Sequence, residues 1–421
     1  MTKVQHILLS TLGSLGDLNP YLVLGRELRA LGFKVSLATH ASYRAKVEEQ
    51  SLSFIEQFPN WTEIEDNPRV MKKLYDPKSG AEFMLRELLM PEIERNFKEL
   101  ARSGPYDLIF TNTLTFATNV YADKFNTPCI SVVLSPLSFF SPYDPPILPV
   151  FSLVNKLTRN VLISKILFQL IDRVSYKWSE PIQRLREKNG LERAKKNPLT
   201  YGYFSDVGTV VMLPDFFLKP QEDWPKNNLA FLGFPFLSAN APLKSELVDF
   251  IEKANAKVIV YTLGSVLEIF DDTFFELAIA HHELTKTPAI FVLGPNYKNI
   301  KLKMAELDSI LLVEFAPYDQ LFPKASLIIH HGGIGTIAEA MRAGTPQLIV
   351  PFTNDQPENA RRCADLGVAR VLDKNKLNEE ILSDEIKKIS NDIVKMNCMK
   401  YKLKIEGHSF SCSLKKFMST L

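Results

Sequence analysis

Apolar residues along the chain fall in short unbroken runs, a pattern that predicts parallel strands covered on both faces. The first run, residues 4–11, leads into the loop Gly13-Ser14-Leu15-Gly16-Asp17, a helix expected over 20–31 with Pro20 in its first turn, and a second run over 34–39. Strand, helix and strand in so short a span open a doubly wound sheet. Residues 58–102 are polar and charged, with helical character over 81–100 interrupted at Pro91. Further strands are expected over 106–112 and 129–134. The character changes over 135–178, where Pro, Phe, Leu and Ile dominate and Lys156, Arg159, Lys165 and Arg173 interrupt the later part. Three readings fit that stretch: a proline-rich loop and helix covering the sheet, a wall of an apolar pocket, or an amphipathic helix on a membrane surface. Pro220, Pro225, Pro235 and Pro242 crowd residues 216–242 and place the domain connection there. Beyond it a helix over 243–253, strands over 257–263, 289–293, 310–314, 327–329 and 348–351, and an amphipathic helix over 377–394 continue the alternation. The expected class is α/β, with domains 1–238 and 239–396 and a tail 397–421.

Composition narrows the field. A chain of 421 residues is too long for one core and suits two domains. Hydrophobic content of 46% with 23% charged residues is ordinary for a soluble protein. A net charge of +2 supplies no basic excess for a general nucleic-acid binder. Cys129, Cys363, Cys398 and Cys412 show no metal spacing, and their sparse use fits a reducing cytoplasm. The first residues run straight into a structured motif and are not expected to be a signal peptide. No apolar run reaches the roughly eighteen residues of a membrane span.

Chemistry concentrates in residues 315–359. An apolar strand over 327–329 enters the turn His330-His331-Gly332-Gly333-Ile334-Gly335-Thr336, and a helix over 338–343 follows, closed by Gly344. The first turn of a helix leaves backbone N–H groups without partners, and glycines let an anion approach them closely. Thr336 adds a hydroxyl, and His331 adds a ring N–H, or a charge if protonated. One helical turn on, Glu339 offers a carboxylate to neighbouring sugar hydroxyls. Asp355 and Gln356 follow the next strand, at a strand end, where open α/β sheets bind ligands.

Residues 330–360 resemble the donor-binding signature HHGG-G-T--EA---G-P----P---DQ--NA of the inverting GT-B glycosyltransferases that use nucleotide sugars. That is the family of the UDP-glycosyltransferases and of the bacterial antibiotic, macrolide and sterol glycosyltransferases. The resemblance implies two Rossmann-like doubly wound domains facing each other across a cleft, with the acceptor on the first, the nucleotide sugar on the second, and the tail packed back on the first. It carries Phe315 to the position that stacks on the base and Pro317 and Tyr318 to the strip beside it. His331, Gly333, Gly335 and Thr336 match the diphosphate contacts, Glu339 the ribose contact, and Asp355 and Gln356 the contacts to the donor sugar. Gly264 and Ser265 resemble a second donor loop whose backbone faces the diphosphate. Ile334 and Gly335 stand where plant members have Trp and Asn, which leaves the contact at Gly335 to backbone. The loop GSLGDLNP resembles the branch's first loop, in which Asp17 matches the general base and Gly16 lies among the donor contacts. No histidine with an aspartate partner stands there as in plant relatives.

The function implied is inverting transfer of a hexose from a UDP- or dTDP-sugar to a hydroxyl of a lipophilic or aromatic small molecule. A nucleotide sugar as co-substrate, no other cofactor and no metal go with it; the charge balance adds no nucleic acid, the cysteine usage a cytoplasmic location, and the amphipathic reading of 135–178 a peripheral membrane contact. No Asp-x-Asp pair occurs in the sequence to hold a divalent ion. Competing readings remain open at this level. Asp17 is also a helix-capping residue for a helix beginning at Asn19 or Pro20. Gly333-Ile334-Gly335-Thr336-Ile337-Ala338 spells the G-x-G-x-x-A of a nicotinamide-binding loop, with Asp355 following. A non-catalytic binder of nucleotide sugar or lipophile is the third. His281 and His282 point about 100° apart on a helix and are expected on a solvated face. His330 is expected to support its loop, and His40 to be structural.

Overall fold

The strands β1 (His6–Ser10), β2 (Lys34–His40), β3 (Ser53–Gln57), β4 (Leu108–Thr111), β5 (Cys129–Val133), β6 (Gly208–Val211) and β7 (Leu229–Phe231) form one sheet in the order β3-β2-β1-β4-β5-β6-β7. All its pairings are parallel. The computed structural model describes residues 4–147, 152–237, 241–255, 258–262, 273–294 and 309–421. Successive strand side chains alternate between faces, and both faces are covered, so unbroken apolar runs serve where alternation would fail. Leu8 and Ile109 pack on one face with Phe97, Leu100 and Tyr121.

A second sheet holds β8 (Ile259–Thr262), β9 (Ala289–Val292), β10 (Ile310–Val313), β11 (Leu327–His330), β12 (Gln347–Ile349) and β13 (Ala369–Val371), in the order β10-β9-β8-β11-β12-β13. It is parallel throughout. Its two faces divide cleanly. Ile259, Tyr261, Phe291 and Ile329 meet Phe275 and Leu382 on one side, with the Tyr261 and Phe291 rings stacked 4.4 Å apart. Val260, Ile290 and Ile328 meet Leu321, Phe322 and Ala340 on the other. Each sheet reverses its strand order at its centre, between β1 and β4 and between β8 and β11. Loops leaving the carboxyl ends of those central strands diverge to opposite faces and open a crevice there.

The chain divides into two compact units, Met1–Leu237 with Ser409–Leu421, and Ser238–His408. The helix Phe410–Met418 therefore belongs to the first sheet's unit. It buries Leu414 and Phe417, sets Phe417 against Gly208 of β6, and bonds Ser411 Oγ to Glu27 at 2.5 Å.

Several sequence expectations are corrected. The first helix begins at Leu15, not Pro20, because Ser14 and Asp17 form a capping box: the Ser14 side chain accepts from the first turn and Asp17 accepts from the Ser14 N–H. Pro20 thus lies inside the helix Leu15–Ala30, where it removes a single bond to the Gly16 carbonyl. The helix after β11 runs Ile334–Ala343, so Gly335 and Thr336 belong to its first turn. The amphipathic stretch 377–394 breaks at Ser390 into the helices Glu379–Ile389 and Asp392–Glu406, the second started by the Asn391 cap. His281 and His282 are buried rather than solvated, because the helix Thr273–Thr285 is apolar on nearly every side. His282 Nδ1–H donates to the Thr287 carbonyl and Nε2 accepts from the Tyr261 hydroxyl, and burial lowers its pKa to about 4.

Candidate active site

His330 ends β11 and starts the turn. Its Nδ1 accepts from the Gly332 N–H at 3.1 Å and its Nε2–H donates to Gln347 at 3.1 Å, so both ring nitrogens are spent on shaping the loop. Burial, with His331 adjacent, lowers its pKa to about 3. Gly332 stands at φ +92°, and a Cβ there would lie 2.9 Å from Ile349. The Asn359 side-chain amide donates to the Gly332 carbonyl at 3.1 Å and to Asp355 at 2.8 Å. One helix thus clamps the turn from below. The chain then enters the helix Ile334–Ala343 through Gly333, whose side offers no cap, and the helix closes on Gly344 at φ +73°.

What faces this helix start is sparse. Among the described residues nothing lies within 4 Å of where a Cβ on Gly335 would stand, whereas one on Gly333 would meet His331 Nε2 at 2.5 Å. Thr336 is buried in the first turn. His331 is buried beside the Thr262 backbone, its pKa lowered to about 4 by burial, and its Nδ1 finds no partner among the described residues. At neutral pH the ring is therefore uncharged, and the positive charge allowed by the sequence is absent.

Glu339 sits one turn along, paired with Arg342 at 2.5 Å. Burial outweighs that guanidinium and raises its pKa to about 7. A carboxylate that accepts from diol hydroxyls must be ionised, so a sugar held by Glu339 would release a proton on binding below that pKa. The affinity of a nucleotide sugar should rise up to about tenfold per pH unit toward pH 7 and level off above it. Titration calorimetry between pH 5.5 and pH 8 checks this, and Glu339→Gln should flatten the profile; an unchanged slope in the variant would remove Glu339 from ligand contact.

The remaining residues separate by exposure. Phe315, after β10, is 61% exposed and presents an open aromatic face. Pro317 starts the next short helix. Tyr318 is instead a positioning residue: its ring stacks on Phe322 at 4.4 Å and its hydroxyl bonds Thr262 at 2.6 Å. Gln356 Oε1 accepts from the Phe352 and Thr353 N–H groups at 2.8 and 3.1 Å, so its oxygen holds the loop after β12. Asp355 stands at the start of its helix. Gly264 and Ser265 lie outside the described residues. Arg342 and Thr262 escaped the sequence reading, whereas Asn359 stands inside the matched signature without a role assigned to it; its place four residues past Asp355 on one helix face was the legible signal.

In the first unit Asp17 and Gly16 occupy the first turn after β1. Asp17 Oδ2 accepts from the Ser14 N–H at 2.9 Å, so Asp17 does not cap a helix at Asn19 or Pro20 but completes, from inside the first turn, the capping box of a helix whose N-cap is Ser14. Gly13 is at φ +130°, and a Cβ there would lie 2.3 Å from Asp17 Oδ2. Gly13→Ala should cost roughly 1–3 kcal/mol of stability through backbone strain alone and push the carboxylate aside. Gly16→Ala, whose nearest contact would be Ser14 Oγ at 3.4 Å, is the unstrained control in a urea titration and should hold stability or raise it by up to about 1 kcal/mol. His40 is buried: its Nδ1–H donates to the Pro59 carbonyl, its Nε2 accepts from the Gly13 N–H at 3.1 Å, and burial lowers its pKa to about 4. It holds the loop and is structural. Among the described residues no group of His, Cys, Asp and Glu is arranged to hold a metal ion.

Comparison with known proteins bears on both units. Residues 7–86 match the glycosyltransferase family 28 N-terminal domain and residues 280–411 match the glycosyltransferase family 28 C-terminal domain. The sterol 3-beta-glucosyltransferase of Vanderwaltozyma polyspora is 27% identical over 414 residues, 93% of this chain and 32% of that protein. O-mycaminosyltylonolide 6-deoxyallosyltransferase of Streptomyces fradiae is 28% identical over 406 residues, 92% of this chain and 90% of that protein. The chain spans about a third of the length of the first yeast relatives it matches. Among solved structures, the glycosyltransferase SnogD from Streptomyces nogalater superimposes with a TM-score of 0.69 at 19% identity, covering 99% of this chain and 100% of that one. The calicheamicin glycosyltransferase CalG4 does so at 0.69 and 17%, covering 100% and 99%. These share the GT-B fold of two parallel-sheet α/β domains. With both of its domain models matched in order along half the sequence, the chain belongs to glycosyltransferase family 28.

Proposed function

We propose that this protein transfers a hexose from a UDP- or dTDP-sugar to a hydroxyl of a lipophilic or aromatic small molecule, with inversion at the anomeric carbon. The observation that carries the reading is the uncrowded helix start at Gly335, flanked by buried Thr336 and by a His331 nitrogen without a partner. Amide dipoles there are fixed before the ligand arrives and need no reorganisation when charge develops. The acceptor oxygen attacks the anomeric carbon while the Asp17 carboxylate takes its proton. The bond from that carbon to the diphosphate breaks, and the leaving group's negative charge falls on the amides of the helix start and the Thr336 hydroxyl. His331 contributes an N–H only on the tautomer that does not give its single proton to Thr262. One displacement inverts the centre. Phe315 supplies the surface on which the base stacks, and Glu339, with Arg342 against it, takes the ribose hydroxyls.

Support for a lipophilic acceptor comes from the names of the relatives, a sterol glucosyltransferase and a macrolide sugar transferase. No observation favours the nicotinamide reading: Asp355 heads a helix and is bonded to Asn359. The deciding experiment incubates the purified chain with a panel of labelled nucleotide sugars and scores free nucleotide. Release from a UDP- or dTDP-sugar, with thermal stabilisation by the nucleotide and none by NAD(H), is expected. Stabilisation by NAD(H) alone would overturn the proposal.

A further inference from the structure

The helix Val161–Ser175 buries only Ser164, Phe168 and Ser175. Its outer face is apolar. Leu162, Ile166, Leu170 and Val174 recur every fourth residue and are 67%, 61%, 57% and 52% exposed. Ile163, beside them, is also exposed. Spacing by four lays these side chains in one stripe along the helix.

Charge surrounds the stripe with one sign. Residues 156–177 hold Lys156, Arg159, Lys165, Arg173 and Lys177 against a single acid, Asp172. All five basic side chains are exposed, whereas Asp172 is turned to the Thr200 hydroxyl. In a chain whose whole net charge is +2, that is a concentrated positive rim. At its edge the Lys165 ammonium lies 4.9 Å over the Tyr143 ring and 3.1 Å from its hydroxyl. An amphipathic lysine beside a half-exposed tyrosine suits the depth where headgroups meet acyl chains. Fifteen residues span about 22 Å, short of the roughly 30 Å needed to cross a bilayer. Among the described residues no helix is long and apolar enough to cross one.

We propose that the helix Val161–Ser175 docks in the plane of an anionic lipid surface, with the Leu162–Ile166–Leu170 stripe inserted at the acyl boundary and the basic rim on the headgroups. A soluble protein partner would need a groove lined with acids along both sides of a greasy centre. An anionic bilayer offers that pattern everywhere. The inference rests on this surface and is independent of the sugar chemistry.

Flotation of the full chain with vesicles tests it. Binding to phosphatidylcholine vesicles containing one third phosphatidylglycerol should exceed binding to pure phosphatidylcholine by about tenfold and fall in high salt. I166E/L170E should lose at least about tenfold of the binding with an unchanged melting temperature, since both side chains are exposed. K165E/R173E should lose the preference for anionic vesicles while keeping residual binding to neutral ones. Absence of flotation with anionic vesicles, or equal recovery of I166E/L170E and the parent, overturns the proposal. So does a concentration-dependent dimer that I166E/L170E abolishes without any lipid binding.

Discussion

Asp17→Asn is expected to lower sugar transfer by about 10²–10⁴-fold while leaving nucleotide affinity within a factor of two or so. The substitution keeps the size of the side chain and an oxygen that still accepts from the Ser14 N–H, so the capping box survives in outline. What disappears is the basicity. An amide oxygen cannot take a proton from an attacking hydroxyl, and it also gives up the favourable charge at a helix start, about 0.3–1 kcal/mol. A modest drop in melting temperature is therefore expected beside the large loss of turnover. Initial rates at saturating donor, read with donor affinity by calorimetry, separate the two roles. A variant that folds and turns over within a few-fold of the parent would leave Asp17 as a cap and nothing more.

Gly335→Asp should weaken donor binding on the order of 10²-fold without harm to the fold. A Cβ at this position would meet nothing within 4 Å among the described residues, so the substitution starts into open space. Its carboxylate lies at the helix start, where negative charge is welcome to the helix, and replacing glycine in a helix gains about 0.5–1 kcal/mol. The same charge repels a diphosphate. Two unit charges about 5 Å apart at an effective dielectric constant near 20 cost roughly 3 kcal/mol, hence the factor. Gly335→Ala, adding bulk without charge, should fall between. Calorimetric titration with a nucleotide sugar, set beside melting curves, decides it: a stable aspartate variant that binds as well as the parent would place the diphosphate elsewhere.

How much of this was readable in the chain differs by element. The parallel strands were, because a strand covered on both faces, such as β1 or β11, must be apolar without alternation. The glycine turn at 332–335 was also legible, since its spacing answers to a steric need. Helix starts were not: Pro20 suggested a first turn, but the box between Ser14 and Asp17 sets the start five residues earlier. His281 and His282 were misjudged for a related reason, since adjacency on a helix does not tell which neighbours close over it, and here the apolar helix Thr273–Thr285 buries both. The roles of Tyr318 and Gln356 could not be inferred from the signature alone. Whether a polar group in a motif reaches outward or braces the loop depends on which partners lie nearby: the Thr262 hydroxyl on β8 for Tyr318, and the Phe352 and Thr353 amides after β12 for Gln356.

The allocation of the helix Phe410–Met418 has a practical side. The first unit is discontinuous in sequence, with the second inserted between Leu237 and Ser409. An expression boundary drawn at Leu237 amputates Leu414 and Phe417 and leaves the flank of Gly208 unroofed, so the excised half should precipitate. Grafting residues 409–421 onto position 237 through a short glycine-serine bridge is the truncation that respects the fold.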